Sequence, residues 1–139
     1  KPNTAFWIIA VIALLWNLSG VYLWLYEYFL ITEEIRATLP PEQVEIMASA
    51  PSWSMYVYGL AVFSGLLASV LLLMRKKMTV GVFLLSLIAV LILQLYWMFG
   101  MDIVDKMGPQ SLIMPLIVIA LAIFEYFYSK GAARNGWLT

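Results

Sequence analysis

The sequence has no cysteine and no histidine. Without Cys there are no disulfides, no thiol redox chemistry, and no thiolate ligands for zinc or iron–sulfur clusters. Without His the usual haem and copper ligands are missing, as is the commonest proton shuttle near neutral pH. Charge is scarce too: charged residues are 12% of the chain, against about 25% in an ordinary soluble domain. Eight Lys and Arg balance eight Asp and Glu, so no net field draws the chain to a polyanion. These shortages argue against a nucleic-acid partner, a disordered segment and most cofactor-bearing enzymes. No nucleophile–base pair, phosphate loop or metal-ligand spacing is present. The sequence therefore predicts a non-enzyme with no catalytic residue, no cofactor and no metal site.

What fills the 139 residues is apolar: 64% are hydrophobic, beyond the roughly 45–50% of a soluble domain. A membrane-spanning helix needs about 20 mainly apolar residues. Residues 6–30, 53–74, 79–100 and 111–128 meet this requirement. They are apolar all round rather than along one stripe, which sets them apart from the helices of a soluble bundle. The chain begins at Lys1 without Met, and its first apolar stretch runs to Leu30. That stretch is about twice the length of a signal-peptide apolar region and no small-residue cleavage site follows it, so it reads as a retained span. The predicted fold is all-α, a single domain over residues 1–139 formed by a four-helix transmembrane bundle in the lipid bilayer.

Basic residues orient it. Arg75, Lys76 and Lys77 lie between the second and third spans, and Lys1, Lys130 and Arg134 lie at the termini. The opposite side holds Glu33, Glu34, Arg36, Glu42, Glu45, Asp102, Asp105 and Lys106. The positive-inside rule makes both termini cytoplasmic. The aromatics form two belts consistent with this: Trp24, Tyr26, Tyr28, Trp53, Tyr56, Tyr58, Tyr96 and Trp97 at the outer interface, and Phe6, Trp7, Tyr126, Tyr128 and Trp137 at the inner one. Most of these rings are membrane anchors. Between spans one and two, Pro41 suits a helix first turn and Glu42 favours the helix dipole. Val44, Met47 and Ala48 recur at helical spacing, so a short amphipathic helix is predicted on the outer face, ending before Pro51. Pro115 either marks the first turn of span four or kinks it.

The two halves share an outline. Spans one and three each carry one amide, Asn17 and Gln94, and end in aromatics and an acidic segment. Spans two and four each follow a proline and end in basic residues. A tandem two-span duplication would produce this, and so would any four-span chain obeying the charge rule.

Few side chains can carry chemistry. Asn17 sits mid-span, where an amide must face protein or water. It serves either an interhelical hydrogen bond or a ligand. Asn17, Gly20 and Trp24 share one helix face and combine an amide, a gap and an indole, which suits a polar ligand with an apolar body. Gln94 presents the same choice beside Tyr96 and Trp97, and could bond Asn17 only if spans one and three pack together. Glu27 lies between Tyr26 and Tyr28, which with Trp24 could enclose it. Asn17, Gly20, Trp24, Glu27 and Gln94 are the candidate ligand-binding residues. Glu125 reads as a partly solvated carboxylate near the inner interface, bonded to a Tyr or to Lys130. Ala61, Gly65 and Ser69 recur every fourth residue and form a helix-packing face, for the bundle interior or for a second copy. Asp102 and Asp105 could hold a cation only weakly, since nothing completes a shell.

Several runs carry a resemblance: Leu14-Leu15-Trp16-Asn17-Leu18-Ser19-Gly20-Val21, Thr32-Glu33-Glu34, Ala61-Val62-Phe63-Ser64-Gly65-Leu66-Leu67 followed by Arg75-Lys76-Lys77, and Ser86-Leu87-Ile88-Ala89-Val90. The chain resembles a family of small four-span bacterial inner-membrane proteins of unassigned function, whose members are sometimes given the label sugar transporter automatically. The resemblance covers most of the first three spans and little of the fourth. It implies a bacterial inner-membrane location and transfers no functional residue. The small multidrug exporters have the same size but place a Glu mid-membrane in span one, where this chain has Asn17, which argues against a proton-coupled drug exporter. Two functions follow. One is binding or transport of a small polar solute, by a homo-oligomer because four spans enclose little volume. The other is a non-catalytic accessory or scaffold subunit held by a membrane protein partner.

Overall fold

The structure is a computed structural model in which residues 2–101 and 103–139 are described, with the backbone alone described at Lys106. Asp102 lies outside the described residues, and with it the weak cation pair expected of Asp102 and Asp105. The described residues are all-helical, without a strand.

Four helices are long and apolar enough to cross a membrane: Thr4–Leu30, Ser52–Leu73, Met78–Gly100 and Pro109–Arg134. Within them, α1 is Thr4–Leu25 and continues as one π-helical turn, Tyr26–Leu30. Two short helices follow, α2 at Glu33–Ala37 and α3 at Pro41–Ser49. Helix α4 is Ser52–Leu73. Helix α5, Met78–Leu95, also ends in a π-helical turn, Tyr96–Gly100. After α6, Ile103–Met107, a 3-10 turn at Pro109–Leu112 leads into α7, Ile113–Arg134.

Local chemistry sets these limits. The Asn3 side chain accepts the Phe6 N–H at 2.9 Å and caps α1, and Thr32 accepts the Ile35 N–H at 3.2 Å and caps α2. Prolines precede or open α3 and α4, where the missing N–H has no helical partner to lose. Pro115 falls in the first turn of α7, where its missing N–H has no helical partner to lose. The last span runs beyond the expected residue 128 to Arg134 because Ser129 and Ala132 remain buried after the apolar run ends.

The long helices pack in chain order, α1 on α4, α4 on α5 and α5 on α7. Helices α1 and α7 close the circuit through side chains, including stacked rings of Phe6 and Tyr128 with centroids 6.4 Å apart. One end of the bundle, here the basic end, gathers the termini and the α4–α5 turn. Arg75 holds a left-handed φ of 59°, uncommon for a residue with a side chain. The C-terminal tail straps this turn: the Thr139 N–H donates to the Arg75 carbonyl at 2.8 Å, and Arg75 Nε donates to the Trp137 carbonyl at 2.9 Å. Beneath it, Phe6, Ala10, Ala68, Leu72, Phe83, Ala132 and Leu138 form a continuous buried cluster.

The opposite, acidic end is capped by α3. Helix α3 docks through Ile46, which is fully buried against Met98, Met101 and Ile103, while Val44 and Met47 are half-buried and Ala48 is exposed. The face that anchors α3 is therefore offset from the one the residue spacing marked.

Candidate functional site

Two connected cavities run from the acidic end toward the middle of the bundle. The larger, about 480 Å³, is walled by all four long helices and roofed by α3 through Gln43 and Met47. Both π-helical turns contribute to it, one through Glu27 and Tyr28, the other through Tyr96 and Trp97. A π-turn inserts an extra residue and re-aims the side chains around it, which is why such turns gather at functional sites. The smaller cavity, about 160 Å³, lies deeper and is lined by Asn17 and Gly20 of α1, Tyr58 and Ala61 of α4, Ser86 and Gln94 of α5, and Glu125 of α7, among others. Leu23, Tyr58, Gln94, Met114 and Val118 line both, so the deep chamber continues into the wider vestibule.

At the chamber floor three helices meet through polar side chains. Asn17 Nδ2 donates to the Ala13 carbonyl at 2.8 Å, within its own helix, and to Ser69 Oγ of α4 at 2.9 Å. The same nitrogen lies 3.3 and 3.4 Å from the two Glu125 carboxylate oxygens of α7. Ser69 in turn donates to the Gly65 carbonyl at 2.9 Å, and Ser86 to the Ala61 carbonyl at 2.8 Å. These hydroxyls satisfy themselves on helix backbone, so they add polarity to the wall without demanding a partner. Gly65 allows the arrangement: a Cβ there would collide with Asn17 Oδ1 and lie 3.2 Å from Ser86 Oγ.

Asn17 and Glu125 are both buried, each with 8% of its surface exposed. Glu125 is thus not the interfacial carboxylate expected from its position near the end of the apolar run. Helix α7 extends past it by about two and a half turns, and its partner is Asn17. Lys130 points elsewhere, over the rings of Tyr126 and Phe127 at 5.5 and 5.7 Å.

The remaining sequence candidates divide. Gly20 approaches α4, where its Cβ position is 3.2 Å from Val62. Trp24 leaves the site: its indole N–H donates to the Met55 carbonyl at 3.0 Å, and its ring lies over Gly59, where a Cβ would come within 3.2 Å of it. Glu27 lines the vestibule and Gln94 lines both cavities. Gln94 does not bond Asn17, because α4 separates α1 from α5. Ala61, Gly65 and Ser69 are all buried inside this one chain.

Sequence reasoning missed Tyr58 and Ser86, and it missed that Glu125 joins Asn17. A signal existed for Ser86: Ser86, Val90 and Gln94 recur every fourth residue, a polar-edged stripe in an otherwise apolar helix. Tyr58 was hidden by the aromatic belt, whose rings look alike until their burial is known. Among the described residues no group of three His, Cys, Asp or Glu is placed to hold a metal ion. The chain matches no protein-family model, no curated protein and no solved structure.

Proposed function

We propose that this is a bacterial inner-membrane protein that binds a small polar solute in its deep chamber and passes it across the bilayer, without catalysing a reaction. The observation that carries this reading is the polar floor of the chamber. A buried amide, a serine and a carboxylate from three helices converge beneath a wider vestibule. Polar groups inside a span are costly and are retained mainly where they serve a pathway or a site. Both termini are assigned to the cytoplasm from the basic turn and tail, so the vestibule faces outward. The likeness to the small four-span inner-membrane family supports the location. The homo-oligomer expected from the small volume that four spans enclose would serve passage.

Extraction in polymer nanodiscs followed by native mass spectrometry tests this. A small molecule held by the wild-type chain and lost from Asn17→Leu is the expected result. A stoichiometric second protein with an empty chamber overturns the reading in favour of an accessory subunit.

A further inference from the structure

The charge around the cavities is one-sided. Glu27 lines the vestibule and Glu125 lines the chamber, yet among the described residues no Lys or Arg lines either. Arg36, on α2, is not part of the lining. Glu125 is also poorly served. An amide nitrogen carries two hydrogens, and Asn17 Nδ2 has its two short contacts, 2.8 and 2.9 Å, to the Ala13 carbonyl and Ser69 Oγ. The Glu125 oxygens, at 3.3 and 3.4 Å, therefore only share these hydrogens, through long contacts. A carboxylate has about four lone-pair sites, and here they face a cavity of about 160 Å³. An anion would meet two carboxylates in a lining without a cation, Arg36 acting on Glu27 from outside it, and burying like charges together is strongly unfavourable. A neutral polyol would leave Glu125 without a charged partner. Above the chamber, Tyr28, Tyr58, Tyr96 and Trp97 supply aromatic surface, and ring faces attract ammonium groups once water is excluded.

Resting on the solute-binding reading above, we propose that the solute is an organic ammonium ion, its head at Glu125 and its apolar body among Tyr58, Tyr96 and Trp97. The dimensions agree. The chamber holds about five waters at roughly 30 Å³ each, enough for an ammonium head, and the vestibule of about 480 Å³ accommodates a ring-sized body. The same head occurs on free amines and on ethanolamine lipids, and the two sources are separable.

The test is calorimetric titration of the full chain in phosphatidylglycerol nanodiscs with phenethylammonium, neutral 2-phenylethanol and anionic phenylacetate. Saturable binding of the cation, about tenfold tighter than either isostere, is expected for a charge-assisted contact. Glu125→Gln preserves side-chain shape and should remove that preference. Glu27→Gln, at the vestibule, should weaken binding by about threefold through loss of a more distant charge, and it keeps the test decisive if Glu125→Gln does not fold. Repeating the titration with phosphatidylethanolamine present assigns the source: unchanged affinity means a free amine, and competition means the lipid headgroup. Equal binding of all three probes overturns the ammonium assignment and leaves the solute site standing. No binding of any probe overturns both.

Discussion

The two ends of the bundle are built on opposite principles. At the basic end Phe6 touches Trp7, Tyr128 and Trp137 with ring centroids 5.1, 6.4 and 5.7 Å apart. Leu72 and Leu138 fill the space between, each 2% exposed. At the acidic end there are more rings, but they stand around space. Trp53 meets Tyr96 edge to face at 5.0 Å and Tyr28 meets Tyr58 at 6.2 Å, and Tyr28, Tyr58 and Tyr96 line a cavity of about 480 Å³. The difference does not come from composition, since both ends are aromatic and apolar. It comes from backbone. The basic end has a tight α4–α5 turn and a tail tied across it. The acidic end has two π-turns that swing their side chains aside. Interiors normally close to crystal density, so the open space at the acidic end sets it apart from the filled basic end.

The comparison predicts unequal responses to truncation. Phe6→Ala should lower stability by about 3–5 kcal/mol, the usual cost of emptying a buried phenylalanine site. Trp97→Ala, on the vestibule wall, should cost less, about 2 kcal/mol, because its ring is half-buried and packs only on one side, against the Ile46 and Met98 cluster. Reversible unfolding in detergent micelles measures both, and equal losses would break the contrast. Next in size, Gly65→Ala places a methyl against Asn17 and Ser86 where the two halves of the bundle meet. Overpacking of this kind costs about 1–3 kcal/mol. Because the Asn17 amide must move to make room, the contact to Glu125 should be lost with it.

Asn17→Leu should cost about 0.6–2 kcal/mol, the range of one interhelical polar contact in a membrane. A melting temperature unchanged from wild type would show that the polar floor holds nothing together. This residue also shows what was legible in the sequence. Four apolar runs specify four long helices, and the scarcity of polar residues within them makes each survivor conspicuous. Asn17 and Gln94 stood out for that reason, and both line the chamber. The pairing of Asn17 with Glu125 was not legible. It depends on α1 and α7 lying together at the close of the circuit, a long-range fact of topology that no helical periodicity encodes. Trp24 shared a helix face with Asn17 and yet went to Gly59. Seven residues of helix carry it along the α4 groove, and a common face does not guarantee a common destination. The π-turns were likewise illegible, because they insert one residue without a distinctive sequence.

The smallest effect on stability is expected at Gln94, and it separates the two ends most sharply. The chain has no cysteine, so single cysteines report without background. Gln94→Cys leaves the helix-packing faces untouched, because Gln94 is half-buried and borders open space in both cavities. Its stability should stay within about 0.5 kcal/mol of wild type. Ala68→Cys, placed in the filled cluster at the basic end, is the counterpart. Thiol modification depends on access and on thiolate formation, and a water-soluble charged methanethiosulfonate reaches only hydrated positions. The Gln94→Cys variant should react at least about tenfold faster than Ala68→Cys, since one thiol borders open cavity space and the other a filled cluster. Equal rates would mean either that the vestibule is dry or that the basic end breathes open, and the stability of the two variants tells these apart. A dry vestibule leaves the stability of both variants unchanged when the reagent is added, whereas a breathing basic end lets Ala68→Cys modification destabilise the bundle. Only a reactive thiol in place of Gln94 beside a silent one in place of Ala68 matches a bundle sealed at one end and open at the other.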